Sequence, residues 1–178
     1  MKKIEKVKEW MLTFGQEVLT TPTLPSKEIM KLRVELIREE LRELEVAFET
    51  NDIVEVNDAF QDLKYVLDGS ILACGMEGIN DRSFDEVHRS NMSKACITTE
   101  EAEATIQHYL EKDGTVGAYK KVGDVYVVYR VSDNKTLKSI NYSPADLKSI
   151  VEKYQGSIND LPRVAITDLI SEIVLQSK

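Results

Sequence analysis

Apolar positions recur at helical spacing along most of the chain, and the pattern turns strand-like only once, between residues 116 and 140. Ile4, Val7, Met11, Phe14 and Val18 repeat every three or four residues. They predict a first helix from Ile4 to about Val18, ended by the proline-bearing stretch Thr20–Pro25. Ser26, then Glu28 and a periodic run to Phe48, predicts a second, long helix closed by Glu49-Thr50-Asn51. Asp52 with Glu55 three residues on has the form of a capping box and opens a third helix running toward Gly75. Ser83 with Glu86 and Thr98 with Glu101 repeat that form and predict helices near 83–94 and 99–112.

Beyond them, Val116–Val122, Val125–Val131 and Thr136–Ile140 are rich in Val, Tyr, Thr and Ile, with Gly123-Asp124 and Asp133-Asn134 between them. That is the pattern of a three-stranded meander. Ser143-Pro144 marks a helix start with proline in first position, running to about Tyr154. One more helix is expected after Thr167, with Ile170, Ile173 and Val174 as its apolar side. The fold class expected is mainly α: an antiparallel helical bundle core over residues 1–95, a helix plus a small three-stranded β-meander insertion over 96–142, and C-terminal helices over 143–178 that pack on the core or a partner.

Composition narrows the function classes. With 178 residues, 42% of them hydrophobic, the chain can bury the core of one main unit. Its formal charge of -8 repels polynucleotides and anionic membrane surfaces, so neither is an expected partner. No run approaches the roughly 18 apolar residues of a membrane span, and the Lys/Glu-alternating N-terminus has no apolar signal core. Cys74 and Cys96 form no C-x-x-C pair or Cys/His cluster, which argues against zinc and disulfide frameworks and fits a reducing cytoplasm.

The acids carry the chemistry. On a wheel of about 100° per residue, Glu39, Glu40 and Glu43 share one sector with Leu32, Leu36 and Ala47, while Lys31, Glu35, Arg38, Arg42, Glu45 and Glu49 gather opposite. In the third helix Glu55, Asp58 and Asp62 share a sector continued by Val66, Gly69 and Ala73, and Asn57, Gln61, Lys64 and Asp68 mark the wet face. The short connection makes the two helices antiparallel neighbours, so up to six carboxylates can meet. Burying several like charges requires protons or cations, and oxygen-only donors suit Mg2+ or Mn2+. Cations so held can bind a polyphosphate and lower the pKa of an attacking water, which makes diphosphate release a reasonable reaction. Bland readings stand beside this one. Glu55 is also the third residue of a capping box, Asp62 can pair with a base, and His88 and His108 read as surface or cap residues.

Glu39-Glu40-x-x-Glu43 followed by Glu55-x-x-Asp58 resembles the signature of the all-α nucleoside triphosphate pyrophosphohydrolases, the MazG and phosphoribosyl-ATP pyrophosphohydrolase-like superfamily. Phe14-Gly15-Gln16 with Thr21-Pro22-Thr23, the segment Glu86–Lys94, and Asp133–Leu147 resemble further blocks of the phosphoribosyl-ATP branch. The resemblance implies a MazG-like helical core, a homodimer or higher homo-oligomer, and hydrolysis of a nucleotide between its α and β phosphates. It implies Glu39, Glu40, Glu43, Glu55 and Asp58 as metal ligands, with Glu40 serving the water. Asp62, in Asp62-Leu63-Lys64-Tyr65, competes with Asp58 as the deeper ligand. Asn91, Lys94 and Arg89 would meet phosphate or sugar, and Gln16 the base. Residues 95–130 look like an insertion, a lid or a dimer contact, and the tail after Gly156 has no counterpart. Within the superfamily the expectation is a (d)NTP house-cleaning enzyme, with phosphoribosyl-ATP hydrolysis as its sister reading. A non-catalytic helical module is the rival from another class.

Overall fold

The computed structural model describes residues 2–159; the helix expected after Thr167 lies outside them. Among the described residues the chain is mainly helical: α1 (Lys3–Thr13), α2 (Lys27–Glu49), α3 (Ile53–Ala73), a 3-10 turn (Glu77–Ile79), α4 (Asn80–Met92), α5 (Thr99–Asp113), β1 (Gly117–Val122), β2 (Val125–Arg130) and α6 (Leu147–Asn159). No helix among them is long and apolar enough to cross a membrane. They divide into two compact units, one of residues up to Asn80 and from Val151, the other Asp81–Ile150.

The first unit is built on the α2–α3 hairpin. Ser26 Oγ accepts from Ile29 N to cap α2, and Asp52 accepts from Val54 N and Glu55 N to cap α3. Between the helices Asn51 takes φ of 55° and Asp52 N bonds back to Ala47 O, so the reversal needs only three residues. Leu44, Ala47, Val56 and Ala59 form the shared core with Leu63 against it, and the two alanines let the backbones approach. Along its second half α3 also packs on α1, where Val7 and Met11 meet Leu72 and Ala73, with Val18 and Ile29 against them. Gly75, at φ 67°, closes α3 where an added Cβ would run into the Thr21 carbonyl.

Two expectations fail here. The first helix stops at Thr13 rather than near Val18, because Gly15 takes φ of 70° and Gln16 N turns back to Met11 O; Val18 still reaches the core, from a loop. Asp68 is not on a wet face. It is 5% exposed and paired with Lys64 at 2.7 Å, since α1 covers the side of α3 that is solvated nearer the N-terminus.

In the second unit α5 packs on the antiparallel pair β1–β2, in register from Gly117 opposite Arg130 to Val122 opposite Val125. Cys96, Ala102, Val128 and Leu137 form its core. Thr98 caps α5 as expected, whereas α4 starts at Asn80 and leaves Ser83 inside the helix. The meander has two strands, not three. The 136–140 segment begins alongside β2, through a Tyr129–Thr136 bridge and Leu137 N to Val128 O, and then leaves it. Ser139 N bonds to Lys94 O, Ser139 Oγ donates to Glu101, and Ile140 N donates to Thr105 Oγ1. A buried serine and a threonine take the bonds that a third ladder would have used. α6 begins at Leu147, later than Pro144 suggested, with the Asp146 carboxylate accepting from Ser149 N.

Candidate active site

The acids lie beside the shared core of α2 and α3, on the wall that the hairpin does not bury. Glu40 is half-buried and Glu39, Glu43, Glu55, Asp58 and Asp62 are exposed. None of the six carboxylates makes a hydrogen bond or ion pair among the described residues, and Glu40 Oε2 is fully buried without a partner. Glu55 gives no return bond to its cap, so the capping of α3 rests on Asp52 alone. Burial, and then the charges of Glu43, Asp62, Glu39 and Asp58, push the Glu40 carboxyl above its ordinary value. Five of the six therefore share one electrostatic neighbourhood.

They do not converge on one point. Glu43, Glu55 and Asp58 line an open concavity of about 300 Å3 with Arg42 and Thr50. Glu40 and Asp62 line a second, of about 410 Å3, that runs along the hairpin toward α1. Among the described residues no three His, Cys, Asp or Glu side chains are placed to hold an ion as they stand. The donor set nonetheless fits a hard divalent cation: it is oxygen only, acid-rich, and includes a buried oxygen with nothing bound to it.

The larger cavity has a second end. Trp10 and Tyr65, edge to face at 6.1 Å, line it together with Gln16, Arg33, Leu36 and Gly69. Arg33 Nη2 donates to Gln16 Oε1 at 2.9 Å and lies 3.8 Å from Met11 Sδ, while its Nε is buried without a partner. Burial pulls this guanidinium below its ordinary value. The sequence reading passed over Arg33. Its signal was a base seven residues before Glu40, on the apolar side of α2 rather than with Arg38 and Arg42.

Arg89, Asn91 and Lys94 stand in the second unit, and their polar groups are engaged there. Arg89 forks onto Glu86 with both bonds at 2.8 Å and reaches Pro144 O at 3.1 Å, and Lys94 Nζ donates to Asn91 Oδ1 at 2.6 Å. The Arg89 pairing, with Asp146 N donating as well, holds the Glu86 carboxyl down to about 2.

Residues 7–91 match the model of the phosphoribosyl-ATP pyrophosphohydrolase family. This segment belongs to the all-α nucleoside triphosphate pyrophosphohydrolase superfamily. The pyrophosphohydrolase-like segment starts inside α1 at Val7, holds α2, α3, both concavities and all six acids, and ends at Asn91, within α4. An uncharacterized protein of Acanthamoeba polyphaga mimivirus is 38% identical to the chain over 77 residues, which are 40% of this chain and 31% of that relative's length.

Proposed function

We propose that the chain is a metal-dependent nucleoside triphosphate pyrophosphohydrolase, converting a (d)NTP to (d)NMP and diphosphate in house-cleaning of a cytoplasmic nucleotide pool. The observation that carries this reading is Glu40: a carboxylate with a buried, unpartnered oxygen, among four further carboxylates, in a cavity that Trp10 and Tyr65 also line. An acidic pair of helix faces whose carboxylates have no ion-pair partners is suited to Mg2+, or Mn2+, held by Glu39, Glu40, Glu43, Glu55, Asp58 and Asp62. Such ions, when bound, would offset charge on the phosphates and acidify the attacking water. Glu40, its carboxyl raised above the ordinary value by burial and neighbouring acids, is the base that takes the water's proton as its oxygen attacks the α-phosphorus and the α–β anhydride bond breaks. Arg89, Asn91 and Lys94 are assigned to phosphate or sugar, which requires them to exchange their present partners for substrate.

Diphosphate release from a nucleotide panel with Mg2+ tests the reading. Activity lost in Glu40→Gln supports it; wild type and Glu40→Gln equally inactive on every triphosphate sinks it. The matching family's description favours one sister substrate, phosphoribosyl-ATP, and turnover of that compound alone would reverse the order.

The working form is proposed to be a homodimer or higher oligomer. Val34, Leu41 and Phe48 on α2, and Ile53, Phe60 and Leu67 on α3, recur every seven residues and are 46–77% exposed, on a face distinct from the acids. Sedimentation of wild type against Leu41→Glu checks this: a wild-type monomer removes the proposal.

A further inference from the structure

We infer that the Arg33 end of the larger cavity selects nucleobases presenting two adjacent hydrogen-bond acceptors, as guanine and hypoxanthine do through O6 and N7 and cytosine through O2 and N3. This deepens the reading of the site as a nucleotide pyrophosphohydrolase and rests on it. Guanidinium has five N–H donors. Here Nη2 is committed to Gln16 Oε1 and the Met11 sulfur, and the buried Nε has no partner. Arg33 is half-buried with its Nε fully enclosed, and it holds a neutral amide where a guanidinium so placed is ordinarily matched to a carboxylate.

Because Gln16 Oε1 accepts from Arg33, its amide nitrogen is left as a donor with no partner among the described residues. With the Gln16 oxygen turned to the guanidinium, this corner of the cavity presents mainly donors. Adenine places an amino donor beside N7, and thymine and uracil interleave N–H between their carbonyls, so each brings a donor against donors. Guanine, hypoxanthine and cytosine do not. Trp10 and Tyr65 supply apolar ring faces for a base of either size.

Spacing agrees. Arg33 precedes Glu40 by seven residues on α2, and Gly69 follows Asp62 by seven on α3, so donor corner and acids lie about 10 Å apart along the antiparallel pair. That separation is comparable to the reach of a nucleotide from its α-phosphate to the far edge of its base. Glycine at 69 makes room: a Cβ there would come 3.0 Å from Arg33 Nη1.

The test is calorimetric binding of dGMP, dCMP, dAMP and dTMP, which needs no chemistry, alongside kcat/KM for the four triphosphates. Wild type should prefer dGMP or dCMP over dAMP and dTMP by roughly tenfold or more, the discrimination of one good bidentate pair. Preference for one of the favoured two then assigns the pocket to the larger or the smaller ring. Arg33→Met keeps the stem and should flatten the ranking. Gln16→Glu, which gives the guanidinium a carboxylate, should do the same without touching Arg33, and it serves if Arg33→Met fails to fold. A ranking led by dAMP or dTMP, a ranking unchanged in both variants, or no binding of any monophosphate overturns the inference. Absence of triphosphate hydrolysis with the monophosphate ranking intact would instead overturn the proposed activity.

Discussion

The acids of the second unit and the six on the α2–α3 hairpin of the first are held in opposite ways. In the second, Glu86 holds Arg89, Asp133 holds Arg130 through bonds of 2.6 and 2.9 Å, and Ser139 and Ile97 N hold Glu101. Bidentate partners lower the carboxyls of Glu86 and Asp133 to about 2. In the first unit six carboxylates on two adjoining helix faces have no such partners, and Glu40 is pushed up rather than down. Satisfied charges stabilise a fold; unsatisfied like charges held together by a packed hairpin strain it. The family match covers the six unpartnered acids and runs on into α4 of the second unit, where it takes in the Glu86–Arg89 pair.

The largest effect expected is on turnover. Glu40→Gln removes the base and one donor, and kcat/KM should fall by about a hundredfold or more, with Mg2+ binding weakened by calorimetry. Unchanged turnover would mean that the strain is incidental. Next comes the hairpin that enforces it. Ala59→Leu overpacks the α2–α3 seam, where Ala59 is 4% exposed, and should cost about 1–3 kcal/mol in chemical denaturation.

A smaller effect separates the units by sign. The folded Glu40 carboxyl lies above its ordinary 4.5, so the folded metal-free protein binds that proton more tightly than the unfolded chain does. Stability is therefore lost as pH rises through that range. Glu40→Gln should melt higher than wild type at pH 7 without metal, and the gap should close below about pH 4. Added Mg2+ should favour wild type. Glu86 and Asp133 behave in the reverse sense: their folded values near 2 give stability that is present above about pH 4 and lost toward pH 2. Side-chain NMR titration should find them ionised at pH 3 and Glu40 protonated. The smallest effect belongs to Asp133→Asn, which removes an exposed pair and should scarcely move melting at neutral pH.

Much of this was legible in the chain. The caps Ser26, Asp52 and Thr98 announced α2, α3 and α5, because a side-chain acceptor facing the first free N–H groups is a local device. The apolar sectors grouped the acids, and five of the six share one electrostatic neighbourhood, but they divide between two concavities rather than meeting. Failures came where distant residues decided. Asp68 is buried because α1 returns over α3, and the third strand is drawn off by Glu101, Thr105 and Lys94, thirty or more residues away in sequence. The wheel placed the exposed line Val34, Leu41 and Phe48 nowhere, since a single helix cannot tell an apolar edge that its own fold covers from one it leaves bare. Arg33 was missed because one base on an apolar side has no periodicity of its own.

Gly69 bears on how such a protein can change over generations. A single methyl there would crowd the tip of Arg33 and spare every acid, in a helix where alanine is favoured over glycine by about 1 kcal/mol. One codon step would then alter which base is preferred while the reaction centre stays as it was, the helical preference for alanine being set against the crowding at Arg33. Relatives carrying alanine at this position would be the natural place to look for a shifted diet.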